Sequence, residues 1–281
     1  MISDWLLQHE PAVRLAVFGL VFLGMALWEL FSPRRSLRLP RAGRWTANLG
    51  ILAIDVVTLR LVFPFAAVGL AAWAEARGLG LFALLDWPAW LEVLLALVLL
   101  DFAIWLQHVV FHAVPVLWRL HRVHHADLDY DLTTGSRFHP LEILLSMLIK
   151  AGLIIMLGPA ALAVLLFEVI LNGAAMFNHG NVSLPRALDR VARWFIVTPD
   201  MHRVHHSREV SETNSNFGFN LACWDRIAGT YVAQPAAGHA AMQIGLQGVD
   251  DVREADRLPG MLRMPFRGKL GDYAVNRRRF E

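Results

Sequence analysis

The 281-residue sequence predicts an all-α fold, an integral membrane helical bundle of about four transmembrane helices with a cytoplasmic helical cap that carries histidine motifs. Three observations predict it. Hydrophobic residues make up 56% of the chain and charged residues 18%, with a mean hydropathy of +0.44, too apolar for an ordinary soluble domain. The apolar residues fall in runs close to the ~20 residues that a helix needs to cross a bilayer. The histidines collect where those runs end, and one string, HRVHH, occurs twice, at His121 to His125 and at His202 to His206. The chain reads as a single membrane-embedded domain over 1–281: anchoring helices in 1–100, a histidine-bearing core in 101–231 and a cytoplasmic C-terminal tail in 232–281.

The N-terminus, MISDWLLQHEPAVR, has acids and no basic leader, so the first apolar run, Val13 to Phe31, reads as an anchor and not as a cleaved signal. It stops at SPRRSLRLPRAGR, whose dense arginines place that loop in the cytoplasm by the positive-inside rule. A second span, Trp45 to Ala76, is interrupted by Arg60 and Pro64; a helix break there lets the Arg60 charge reach a polar group. A third span, Ala89 to Val110, returns the chain to the cytoplasm. After a polar stretch come two apolar segments hinged at Gly158-Pro159, the turn of a helical hairpin with both ends on the cytoplasmic side. All clustered histidines then share one side. The expected location is the inner (plasma) membrane of a bacterium.

Arginines flank apolar runs and form no extended stripe, which argues for topology and headgroup contacts and against a nucleic-acid partner. The one cysteine, Cys223, excludes both an intrachain disulfide and a CxxC metal site. Any metal is therefore held by nitrogen and oxygen.

His108 and His112 are four apart and share a helix face; His121, His124 and His125, and again His202, His205 and His206, have i, i+3, i+4 spacing. Pro115 breaks the helix between the first two sets, so that the second can turn back onto the first. Three converging faces offer more imidazoles than one tetrahedral ion can use, which points to two metals. His139 and His179 sit singly at the two ends of the hairpin, His139 as a possible ligand or a residue that supports one. His9 and His239 lie outside the pattern and read as surface residues. Carboxylates that could orient the rings are Asp101, Glu142, Asp200 and Asp225, with Asp200 placed as the N-cap of the helix carrying His202.

The order His108-xxx-His112, His121-xx-His124-His125, FHPLE, a lone His179 in FNHGN followed by LP, then His202-xx-His205-His206 and NFGFNLACWDRIAGT resembles the fatty acid hydroxylase and sterol desaturase superfamily. The resemblance covers Asp101 to Tyr231, and the HPLE and WDRIAGT strings set it apart from the acyl-CoA and acyl-lipid desaturases. It implies a membrane-bound, non-haem enzyme with two iron ions that uses dioxygen and external electrons to hydroxylate or desaturate a lipid that is sterol-like, fatty acyl or an ether lipid. The ligand positions it implies are His108, His112, His121, His124, His125, His179, His202, His205 and His206. Members resembling fatty acid 2-hydroxylases carry a further histidine four residues after His179; Ser183 stands there, which is closer to the sterol-oxidase-like branch. Without a fused haem-binding donor domain, a separate electron-donor protein is implied, a ferredoxin or a cytochrome b type with its reductase.

Two other readings compete with this one. A zinc-dependent membrane hydrolase would want an acid-base glutamate as in HExxH, whereas VVF and RV lie between these histidines. A metal transporter would put its ligands at the bilayer midplane, and a haem protein has no use for two HxxHH faces.

Overall fold

The computed structural model describes residues 2–85, 87–268 and 273–274; the terminal NRRRFE string of the expected tail lies outside the described residues. Eight helices build the frame: α1 (Ile2–Gln8), α2 (Glu10–Phe31), α3 (Arg41–Val62), α4 (Ala66–Glu75), α5 (Ala89–Ala113), α6 (Pro115–His125), α7 (Pro140–Leu157) and α8 (Ala161–Asn178). Among the described residues there is no β-strand, only isolated bridges such as Pro33 with Val182 and Ile196 with Leu221.

Among the described residues, five segments are long and apolar enough to cross a membrane: Glu10–Phe31, Arg41–Glu75, Ala89–Ala113, Pro140–Leu157 and Ala161–Asn178. The sequence reading counted about four. Each arm of the Gly158-Pro159 hairpin is a full 18-residue helix, long enough to span by itself. The hairpin turns where Gly158 takes a left-handed conformation at φ 65°. A side chain there would bring a Cβ within 2.0 Å of the Leu79 carbonyl oxygen, so the close approach of the 79–80 and 158 segments requires glycine.

Helix α8 is the axis of the bundle, packed against α2, α4 and α5. The fully buried alanines of α4, Ala67, Ala71 and Ala74, let its backbone come close to α7 and α8, the small-residue device of helix packing in lipid. One group of charges inside the spans is paired across three helices. Glu168 on α8 accepts from Arg14 on α2 and from Lys150 on α7, each at 2.6 Å, so three helices share one carboxylate. Arg60 is exposed in the last turn of α3, just before the break at 63–65 that separates α3 from α4.

Above the spans, residues 126–139 are held by buried ion pairs. Arg44 on α3 donates to both Asp127 oxygens at 2.9 and 2.8 Å and to Asp131 at 2.6 Å, while Arg137 donates to Asp256 at 2.7 Å and to the Val123 carbonyl at 2.8 Å. Burial would raise the Asp127 carboxyl, but the Arg44 and Arg137 charges overcome it and hold the group below its ordinary value. The segment from 232 onward packs back onto the bundle: Leu246, Met261, Met264 and Tyr273 join Ile51, Trp118 and Val123 in one core.

Candidate metal centre

Helix α5 carries His108 and His112 one turn apart on its buried face. The chain bends at Val114, whose backbone is extended, and Pro115 opens α6 in the first turn, where its missing N–H costs no hydrogen bond. That bend folds His121, His124 and His125 of α6 back against α5. His179 is the C-cap of α8. A short helix, α10 (Pro199–His205), supplies His202 and His205, with His206 as its C-cap. All nine rings are buried.

The structure divides these nine into two groups that could each hold a metal ion: His108, His112, His121, His125 and His205 in one, His124, His179, His202 and His206 in the other, with the nitrogens of each group within 4.8 Å of one another. Neither HRVHH string stays together. Residues four apart share a side, so His121 pairs with His125 and His202 with His206, while His124 and His205 at the i+3 positions go to the opposite group. The groups lie side by side, the rings of His125 and His206 stacking at 4.6 Å.

Ring tautomers are set from outside the groups. The Nδ1–H of His108 donates to the Phe217 carbonyl, that of His205 to the Ser215 carbonyl and that of His179 to the Ala175 carbonyl, each at 2.7 Å. A carbonyl only accepts, so Nε2 of these rings is a bare lone pair. Yet Nε2 of His108 lies 3.0 Å from Nε2 of His205, and Nε2 of His179 lies 3.1 Å from those of both His124 and His202. Between His108 and His205 no proton is available for a hydrogen bond. Lone pairs aimed at one another at this range are the arrangement a shared cation relieves, and the residues therefore fit two metal ions. His206 adds a buried ring on which neither nitrogen has a hydrogen-bond partner among the described residues.

Burial pushes His121 and His179 down to about 3, and burial with neighbouring imidazoles holds His124, His125, His202, His205 and His206 well below the usual histidine range. The rings are thus neutral at pH 7, the ligating form. Phe138 stacks on His124 at 4.5 Å, and Phe217 and Phe219 pack on His108 at 5.5 and 5.0 Å, giving the buried rings apolar neighbours.

Of the carboxylates expected to orient rings, only Glu142 touches a clustered histidine among the described residues, accepting from Nδ1 of His121 at 2.7 Å. Glu142→Ala is expected to lower metal affinity about 10–100-fold, read by chelator competition, with Glu142→Gln intermediate because it keeps an acceptor but no charge. Affinity equal to wild type in both variants would remove Glu142 from this role. Asp225 acts one step further out: it accepts from the Phe217 and Gly218 amides at 2.9 and 2.8 Å and so holds the loop whose carbonyl orients His108. Asp101 binds Asn220 and Trp224, both at 2.8 Å. Asp200 is not the N-cap of α10; Thr198 is, its side chain accepting from the Met201 amide, and Asp200 pairs instead with Arg34 at 3.1 Å and with Arg203. His139 stands outside both groups as the N-cap of α7, with Nε2 on the Leu262 carbonyl at 3.2 Å. His239, expected on the surface, is buried with Nε2 3.5 Å from Asp200, because the C-terminal segment folds over α10. His9 is exposed and stacks on Trp5, as a surface residue would.

Sequence reasoning missed Asn214. Its Oδ1 accepts from Nδ1 of His112 at 3.1 Å, and its own amide is oriented by donating to the Tyr273 carbonyl at 2.8 Å. The only signal was its place in SETNSNFGFN, between two motifs that were read.

Residues 93–230 match the fatty acid hydroxylase family. Among curated proteins, the chain is 29% identical over 164 residues to an ornithine lipid hydroxylase of Rhizobium tropici, covering 58% of this chain and 48% of that protein. It is 30% identical over 139 residues to the Homo sapiens alkylglycerol monooxygenase, covering 48% and 29%, and 26% identical over 142 residues to the Homo sapiens cholesterol 25-hydroxylase, covering 50% of each. The chain thus spans half or less of the length of these relatives. No solved structure gives a significant match.

Proposed function

Through residues 93–230 this chain belongs to the fatty acid hydroxylase superfamily, and from that premise we propose that it is a membrane-bound non-haem di-iron oxidoreductase that hydroxylates or desaturates a lipid with dioxygen and external electrons. The observation that carries the reading is the pair of all-imidazole groups, five and four rings, buried at one end of a bundle of lipid-spanning helices. Such nitrogen-only sites suit a redox-active first-row metal. When bound, two irons would supply the reducing power needed to activate dioxygen against an unactivated C–H bond.

The chain's own residues do the rest. His108, His112, His121, His125 and His205 would hold one ion and His124, His179, His202 and His206 the other. The carbonyls of Phe217, Ser215 and Ala175 keep Nδ1 of three rings protonated, so that Nε2 faces inward throughout turnover. Phe138, Phe217 and Phe219 line the rings and keep bulk water from the reacting carbon. In hydroxylation one oxygen atom of dioxygen enters the lipid and the other leaves as water, drawing a pair of electrons and a pair of protons from outside. A separate ferredoxin or cytochrome b type protein with its reductase would deliver the electrons. The arginine-rich loop after α2 favours a cytoplasmic location for the histidine end, where such a donor is found.

The substrate class is a membrane lipid, sterol-like, fatty acyl or an ether lipid. Lipid profiling of a bacterial host with and without the gene, together with metal analysis of the purified protein, tests the reading. An oxidised lipid that depends on the gene and about two irons per chain are expected by the group count. Zinc as the sole bound metal with no lipid changed would overturn it.

A further inference from the structure

The segment after α8 leaves the metal centre and makes α9 (Arg186–Ala192), a turn through Ile196, and then α10. Helix α9 is amphipathic in the reverse sense of a soluble protein. Its polar side faces the protein: Asp189 accepts from the Thr198 hydroxyl at 2.6 Å and pairs with Arg193, which also donates to the Ala233 carbonyl at 2.8 Å and is buried. Its apolar side faces out. Leu188 is 54% exposed and Val191 59%, three residues apart on one stripe that continues through Trp194 at 64% and Phe195 at 68%. Ile227, at the end of α12 (Cys223–Ile227), is 77% exposed and directly follows Arg226, whose guanidinium lies over the Trp194 ring. An apolar stripe turned outward, with the Asp189–Arg193 pair turned inward, marks a surface not covered by water.

The position of the patch says what covers it. The 195–197 strip is joined to 220–222 by backbone hydrogen bonds, Val197 N–H to the Asn220 carbonyl at 2.9 Å and Ala222 N–H to the Phe195 carbonyl at 3.1 Å. The next residues dock on α5, with Trp224 donating to Asp101 at 2.8 Å and its ring meeting Phe102 at 5.1 Å. At 1.5 Å per residue, Phe102 lies only about 20 Å along α5 from Ala89, whereas the hydrocarbon core is about 30 Å thick. The docked segment therefore lies at a level that lipid still occupies around α5. The exposed apolar face of α5, Leu99, Phe102, Leu106 and Val110, continues directly onto it. Its charges also suit an interface: Arg186 and Arg190 are exposed at its flank, long enough to reach lipid phosphates, and the Arg226 guanidinium lies over the Trp194 ring at 4.7 Å.

We propose that residues 186–196, with Ile227, are a membrane-seated element that lies in the acyl-headgroup boundary of the leaflet at the histidine end of the bundle, its partner being the bilayer itself. The element is coupled to the metal centre, because Asp225 of α12 holds the Phe217 loop that orients His108. The proposal stands on membrane embedding alone and is separable from the oxygenase reading.

Single cysteines at Val191, Phe195 and Ile227, in the full chain with Cys223→Ser, can carry a nitroxide in nanodiscs of phosphatidylcholine and phosphatidylglycerol. Leu99→Cys serves as the lipid reference and Glu254→Cys, on the exposed surface, as the water reference. All three sites should collide with oxygen in preference to a water-soluble nickel chelate, as Leu99 does. Preference for the chelate, as at Glu254, would overturn the proposal by showing water there. Low collision with both would overturn it too, by showing a protein cover such as a second copy. The labelled positions are exposed and Cys223 is half-buried, and elution at the wild-type volume in gel filtration establishes that each variant is folded before it is read.

Discussion

On the proposed function, His124→Ala is expected to lose the metal ion that the four-imidazole group would hold and to cut lipid turnover by more than the about 10–100-fold that follows loss of a mere outer hydrogen-bond partner. Only His179, His202 and His206 remain in that group, and His179 already places its Nε2 3.1 Å from the position vacated. His205→Ala is expected to abolish turnover as well but to lower metal content less, since His108, His112, His121 and His125 would still be there to hold the other ion. His206→Ala follows His124→Ala and not His205→Ala, although His205 is its neighbour in the chain. Metal per chain by mass spectrometry, with turnover on the same samples and gel filtration to confirm folding, gives the result. Wild-type metal content and turnover in any of the three removes that histidine from the ligand set, and identical metal loss for His205→Ala and His206→Ala contradicts the division into two groups.

Arg44→Met is expected to destabilise the fold by about 3–5 kcal/mol, the usual cost of stranding buried charges when one partner is removed. Asp127 and Asp131 are fully buried, and Arg44 meets both with three hydrogen bonds between 2.6 and 2.9 Å. Methionine fills much of the volume but leaves two carboxylates with less compensation in a site water does not reach. A fall in Tm of roughly 10 °C in detergent follows from the usual scaling for a chain of this size. Adding Asp131→Asn to Arg44→Met should recover part of the loss, because one stranded charge is then neutral. A Tm unchanged by Arg44→Met would show that the ion pairs are not what holds residues 126–139 beneath the histidines.

Several features of the centre were legible in the chain because their causes are local. Spacing by three and four places histidines on a helix surface whatever surrounds it, so His121, His124 and His125 could be read as a set. Pro115 and Gly158 announce a bend and a turn through their own backbone limits, and the structure has both. Hydropathy announces membrane helices for the same reason, and the five candidate spans among the described residues include both arms of the hairpin read at Gly158-Pro159.

Asp101, Glu142, Asp200 and Asp225 were equivalent candidates in the sequence, and tertiary contacts separated them. Glu142 is 21 residues from His121 yet receives its Nδ1–H, while Asp225 works through the Phe217 loop, and Asp101 and Asp200 anchor segments away from the rings. His239 shows the same limit in reverse, a residue without a motif that the returning C-terminal segment buries against Asp200.

The sequence by itself determined that this is a helical membrane protein with nine clustered imidazoles of a known superfamily pattern, since periodicity, hydropathy and motif order are properties of neighbouring residues. Only the tertiary structure decided that each HRVHH string is split between two sites, and which carbonyls and side chains set the ring tautomers. Those outcomes depend on pairs such as His108 with Phe217 and His112 with Asn214, more than 100 residues apart, which meet only when α5, α6, α8 and α10 close on one another.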